Sequence, residues 1–143
     1  MVVVGLDSGA GSAEILRFAL HEAVLRGTRL RAVHAWSAAR HLPVAGAGMV
    51  PPIDPDGVRA EAATELARLV AAVAGDRAAD IEQVVADGPA GERILEHARD
   101  AELIVVGTRG HGALAEIVLG SVSRQVVRHA RCPVVVVPPP PRE

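Results

Sequence analysis

Leu103-Ile104-Val105-Val106-Gly107-Thr108-Arg109-Gly110 runs an apolar stretch straight into a glycine turn, and after nine intervening residues comes Gly120-Ser121. The apolar run reads as a buried strand. Ser121 opens a helical pattern carrying Val122, Val126, Val127 and Ala130. Strand, glycine turn, second glycine and helix start form an arrangement suited to a phosphate chain. Glycines let backbone N–H groups approach an anion, and a helix N-terminus adds free donors and partial positive charge. Ser121 either caps that helix or offers its hydroxyl to a phosphate oxygen. A glycine turn alone is a weak signal, but the spacing Gly-x2-Gly-x9-Gly-Ser is far more specific.

Outward from this stretch, short apolar runs alternate with helical patterns, which predicts a parallel sheet. Strands are expected over Val2–Leu6, Leu30–Trp36, Ile81–Val85, Leu103–Val106 and Val134–Val137. The third, more polar through Glu82 and Gln83, reads as an edge. A first helix begins near Ser12, with Ile15, Leu16, Ala19, Leu20, Ala23 and Val24 on one stripe, and ends at Gly27. A second starts near Asp56, presents Ala62, Leu66, Leu69, Val70 and Val73, and closes at Gly75. A third follows Gly88-Pro89, with Ile94, Leu95 and Ala98 inward. Right-handed crossovers make this a small doubly wound α/β sheet, whose ligands bind beyond the carboxyl ends of the strands.

The chain reads as a single domain over residues 1–143, large enough to bury a core. Residues 37–57 are the irregular stretch, holding Pro43, Pro51, Pro52 and Pro55, and are expected to be a flexible loop. A proline-rich tail over 138–143 stops the last strand. No apolar run approaches the roughly 20 residues needed to cross a bilayer, and Met1-Val2-Val3-Val4 lacks a basic leader. A soluble cytoplasmic protein is the expectation. The net charge of −2 gives no reason to expect nucleic acid or an anionic membrane.

Lysine is absent from the chain. That excludes a Walker-type phosphate lysine, a Schiff base and a lysine nucleophile. Phosphate charge must instead be met by backbone N–H groups, arginine, histidine or a metal ion. Phe18 and Trp36 are the only aromatic residues, so stacking platforms for single strands are missing. The one cysteine, Cys132, reads as a small buried apolar residue. The six histidines show no paired metal spacing, and no base stands beside a nucleophile in any familiar motif. Asp54 and Asp56 read as turn or cap residues.

The segment Val105 to Val137, together with Val4-Gly5-Leu6-Asp7-Ser8 and Gly88-Pro89, resembles the universal stress protein family in its ATP-binding branch. The resemblance covers nearly the whole chain outside residues 37–57. It implies a Rossmann-like, adenine nucleotide alpha hydrolase-like fold with strand order 3-2-1-4-5 and helices on both faces. That order sets the first and fourth strands side by side at the switch point, where both sequence signatures end. It also implies ATP as ligand, with AMP or ADP as alternatives and Mg²⁺ arriving with the nucleotide. A homodimer through the fifth strand and an unidentified protein partner complete what the family suggests. A bare valine edge strand has its own physical reason to pair with a second copy.

Site roles follow on the same footing. The family places its nucleotide-facing aspartate at Asp7, although Asp7 also suits a helix cap or a turn. Gly5 either admits the ligand to the strand end or serves packing. Ala35 would offer its backbone and side chain to adenine, with a looser wall than the family's usual valine. His34 reads as a half-buried strand residue rather than a ligand. Gly107, Gly110 and Gly112 suit the ribose and phosphate turn. Arg109 either pairs with phosphate or stays in solvent, His111 lies within reach of a phosphate, and Glu116 is expected to face solvent. Gly120, Ser121, Val122 and Ser123 supply N–H groups for the terminal phosphates, with two serine hydroxyls as further donors. A nucleotide-dependent stress or signalling module is the leading reading. A slow ATPase and a nucleotide-free dimerisation module stand as alternatives.

Overall fold

The first strand, β1 (Val2–Leu6), is buried at every residue, so its sheet must be covered on both faces. The computed structural model describes residues 1–36, 54–108 and 119–139. Along the described chain follow α1 (Ser12–Leu25), β2 (Leu30–Trp36), α2 (Pro55–Ala74), a 3₁₀ turn (Gly75–Asp80) and β3 (Ile81–Asp87). Then come α3 (Ala90–His97), β4 (Leu103–Gly107), α4 (Ser121–His129) and β5 (Val134–Val137). The five strands pair in parallel in the order β3-β2-β1-β4-β5. This is the α/β architecture the alternation of patterns predicts.

Strand periodicity sorts the core into two layers. Val2, Val4 and Leu6 pack with Leu16, Ala19, Leu66 and Val70 of α1 and α2. Val3 packs with Val33, Ile94, Ala98 and Val126 beneath α3 and α4. Gly5 points to this second layer, where an added Cβ would stand 3.0 Å from Ile94 Cγ1 and 3.4 Å from Val106 Cγ1. Its lack of a side chain is therefore a packing requirement in the described contacts.

Several boundaries differ from the sequence reading. The irregular stretch does not reach residue 57, because α2 starts at Pro55 with Asp54 accepting from the Asp56 amide. Proline at a first helical position wastes no donor, which is why the chain turns helical there. β3 extends to Asp87, its last two residues pairing with Ala35 and Trp36. Gly88 follows at φ +125°, donating its amide to the Trp36 carbonyl at 2.9 Å. Val24 and Val127 are exposed rather than inward, since they lie at the flanks of their helical stripes. Cys132 is half-buried against the second layer rather than enclosed. The tail over 138–143 is described only to Pro139, and most of the 37–57 stretch lies outside the described residues. No helix among the described residues is long and apolar enough to cross a membrane.

One detail of register positions the site. β1 follows β2 to its end, through Leu6 opposite His34. Its ladder with β4 stops earlier, at Val4 opposite Val105. The two central strands thus part at their carboxyl ends, where the strand order reverses.

Candidate functional site

The α4 side of this opening is built on the Thr108 carbonyl. It accepts the Gly120 amide at 2.6 Å and the Ser123 hydroxyl at 3.1 Å. The Thr108 amide in turn donates to the Val137 carbonyl at 3.1 Å. These bonds bring the exit of β4 against the first turn of α4. Gly120 is the N-cap, extended at φ −65° and ψ 171°, with no side-chain cap. Ser121 therefore occupies the first helical position and does not cap the helix. The first intrahelical bond runs from the Arg124 amide to the Gly120 carbonyl at 3.0 Å. That leaves the amides of Ser121, Val122 and Ser123 without a helical acceptor. Ser121 is exposed and Gly120 and Val122 are half-buried, whereas Ser123 is buried with its hydroxyl bonded within the fold. Ser123 was expected as a hydroxyl donor to a ligand. Its side chain instead fastens the turn, and its backbone N–H is what faces the helix end.

The β1 side is ordered by Asp7. Its Oδ1 accepts the Gly9 amide at 2.8 Å and lies 2.8 Å from Ser12 Oγ. The same hydroxyl lies 2.8 Å from the Asp7 carbonyl. Asp7 thus folds the turn into α1, as a turn-forming aspartate should. Beside it opens a cavity of about 250 Å³, lined by Leu6, Asp7, Ser12, His34, Glu65 and Leu69 among others. Glu65 of α2 accepts the Ser8 hydroxyl at 3.0 Å across this mouth. His34 is buried, not half-buried, and its Nδ1 lies 3.1 Å from the Leu6 carbonyl oxygen. Ala35 is half-buried at the strand end, opposite Ala86 of β3.

Gly107 ends β4 opposite Val137. Arg109, Gly110, His111, Gly112 and Glu116 lie outside the described residues. Sequence reasoning missed Glu65, and took Leu66 and Leu69 as core alone. It had no signal for them, because helix periodicity says which face is inward but not which strand end it overhangs. The opposite charge logic of the two sides is plain. The first-turn amides, which lack a helical acceptor, and the helix dipole favour an anion at α4, while carboxylates and a histidine favour hydrogen-bond donors beside α2. Among the described residues no group of three or more His, Cys, Asp or Glu side chains is placed to hold a metal ion.

The model of the universal stress protein family matches residues 1–138. The chain belongs to the universal stress protein family. It is similar to universal stress protein Rv2005c of Mycobacterium tuberculosis, 37% identical over 138 residues that cover 94% of this chain and 44% of that protein. The chain thus spans under half the length of this curated relative. Among solved structures it resembles the Archaeoglobus fulgidus universal stress protein in complex with dAMP, at 29% identity and a TM-score of 0.65, covering 95% of each chain. It also resembles a universal stress protein in complex with cAMP, at 25% identity and TM-score 0.65, covering 95% of this chain and 94% of that one. Nucleotide binding within the family is thus seen in these two relatives.

Proposed function

We propose that this universal stress protein domain binds an adenine nucleotide, ATP foremost, at the carboxyl rim of β1 and β4, and acts as a nucleotide-dependent stress-response or signalling module. The observation that carries the reading is the first turn of α4, where Gly120 has no side chain to cap the helix and the Ser121, Val122 and Ser123 amides have no acceptor among the described residues, close to the point where β1 and β4 part. With lysine absent, these backbone donors take the phosphate charge. The exposed Ser121 hydroxyl adds a donor that no helix cap uses. Mg²⁺, arriving with the nucleotide, would be held by phosphate oxygens and water. The dAMP and cAMP complexes of relatives support the choice of an adenine nucleotide over other anions.

Nucleotide occupancy is read out through a homodimer. β5 is the outer strand of the sheet, four valines long, and half-buried throughout. Its outward backbone groups suit two-fold pairing with a second copy. Light scattering at micromolar concentration should give twice the chain mass, and a monomer would remove this part of the reading.

The direct test is thermal unfolding with and without ATP. At 100-fold excess over Kd, binding adds about 2.7 kcal/mol, an upward shift of roughly 5–15 °C for a domain of this size. Gly120→Val places a branched side chain at the cap and should abolish the shift. An equal shift in that variant would remove α4 from the site.

A further inference from the structure

Gly91 sits in the first turn of α3, where an added side chain would run into the Gln125 side chain of α4. The two helices touch at this level. Beyond that contact a cavity of about 390 Å³ opens between them. The volume lies within the roughly 300–1,000 Å³ of pockets that hold a small molecule. It shares no lining residue with the cavity beside Asp7.

Its floor is apolar, with Ala98 and Ile104 buried and Leu95 half-buried. Its charges are sorted by the course of the helices. α3 and α4 both return across the same face of a parallel sheet, so their carboxyl ends lie at the same end of the cavity. Arg99 follows the end of α3, and His129 and Arg131 stand at and beyond the end of α4. Glu92 and Glu96 come earlier in α3, and Arg93 pairs with both, at 3.7 Å and 2.6 Å. Among the described residues no ion pair includes Arg99 or Arg131. The helix ends do not call for them either. Arg31 donates to the His97 carbonyl at the end of α3 across 2.6 Å, and Arg128 stands in the last turn of α4.

The lining thus suits an apolar body with one negative charge at one end. Two carboxylates in the same wall repel a polyanion. α3 is eight residues, about 12 Å long, which leaves room along the floor for an extended chain. We propose that the cavity between α3 and α4 binds a medium-chain monocarboxylate, with its carboxylate on Arg99 and Arg131 and its chain along Leu95 and Ile104. Such a ligand meets α4 at its carboxyl end, whereas nucleotide phosphates meet the amino end. Its binding requires no nucleotide.

The experiment is calorimetric titration of the full chain, without nucleotide, using octanoate, acetate and octanol. Octanoate should bind more than about tenfold tighter than acetate, because each buried methylene contributes roughly a factor of four. It should bind roughly 10- to 100-fold tighter than octanol, the range of a hydrogen bond to a charged group. Arg99→Gln combined with Arg131→Gln should remove the preference for octanoate over octanol. Arg128→Gln, at an exposed arginine outside the cavity, should keep it. Octanoate that fails to bind, or binds no tighter than acetate, overturns the site. A preference that Arg128→Gln lowers as much as the double variant does the same. In the wild type the methyl resonances of Leu95 and Ile104 should shift as octanoate saturates, an answer that depends on no variant. Shifts confined to Leu6 and Leu66 would place the chain in the other cavity and refute the assignment. None of these titrations contains ATP, so each outcome leaves the nucleotide reading as it stands.

Discussion

Ser123 donates its hydroxyl to the carbonyl of Thr108 across 3.1 Å, joining the first turn of α4 to the residue after β4. The bond is buried, with Ser123 2% and Thr108 8% exposed. Two residues earlier, Ser121 is exposed and makes no such side-chain bond among the described residues. Ser123→Ala should therefore cost about 1–2 kcal/mol in urea unfolding of the nucleotide-free protein. Ser121→Ala should stay within about 0.5 kcal/mol. The reverse order would mean that Ser123 is not what holds the turn.

Gly5 and Ile94 share one space. Gly5→Ala presses its methyl against Ile94 in the second core layer and should destabilise by about 1–3 kcal/mol. Ile94→Val removes the Cδ1 methyl and alone should cost about 0.5–1.5 kcal/mol. The double variant should lose clearly less than the sum of the two, since each change relieves the other. Strict additivity in denaturant titrations would place the cost of the alanine elsewhere.

Asp7 carries a structural duty that is separable from any ligand. Asp7→Ala removes the acceptor for the Gly9 amide and the Ser12 hydroxyl, and should lower apo stability by about 1–2 kcal/mol. Asp7→Asn keeps a carbonyl oxygen in that place and should unfold near the wild type. Loss of nucleotide affinity in Asp7→Asn at unchanged stability would then report the negative charge itself.

Burial pushes the Cys132 thiol up from its ordinary value. A raised thiol holds less thiolate than the unfolded chain at every pH up to and through its ordinary titration range. Alkylation by iodoacetamide at neutral pH should be slower in the native protein than in urea, with the gap closing as pH rises past that range. Faster native alkylation would show a thiolate that the surroundings favour.

The sheet was legible because its signals are local and strong. Val2–Leu6 and Leu103–Val106 are continuous apolar runs with no helical alternative of that length, and each ends at or near a glycine. The start of α4 was legible in the Gly120-Ser121 pair, yet the division of labour between Ser121 and Ser123 was not. Helix phase alone turns one serine outward and the other toward Thr108, since two residues are about 200° apart around the axis. Val24 and Val127 misled for a related reason, since an apolar residue at a stripe's flank looks inward until neighbouring elements are placed. His34 was legible as a strand residue. Its contact with the Leu6 carbonyl depends on a neighbouring strand, and its cavity on Glu65 and Leu69 of α2. No sequence pattern links these positions.

The central claim is that backbone amides at the head of α4 receive the phosphates. It is tested most directly by following the amide resonances of Ser121, Val122 and Ser123 while ATP is titrated into the protein. All three should shift and saturate together with one apparent Kd, and Gly120→Val should remove the effect. Bound ATP that leaves these three amides unmoved would contradict it.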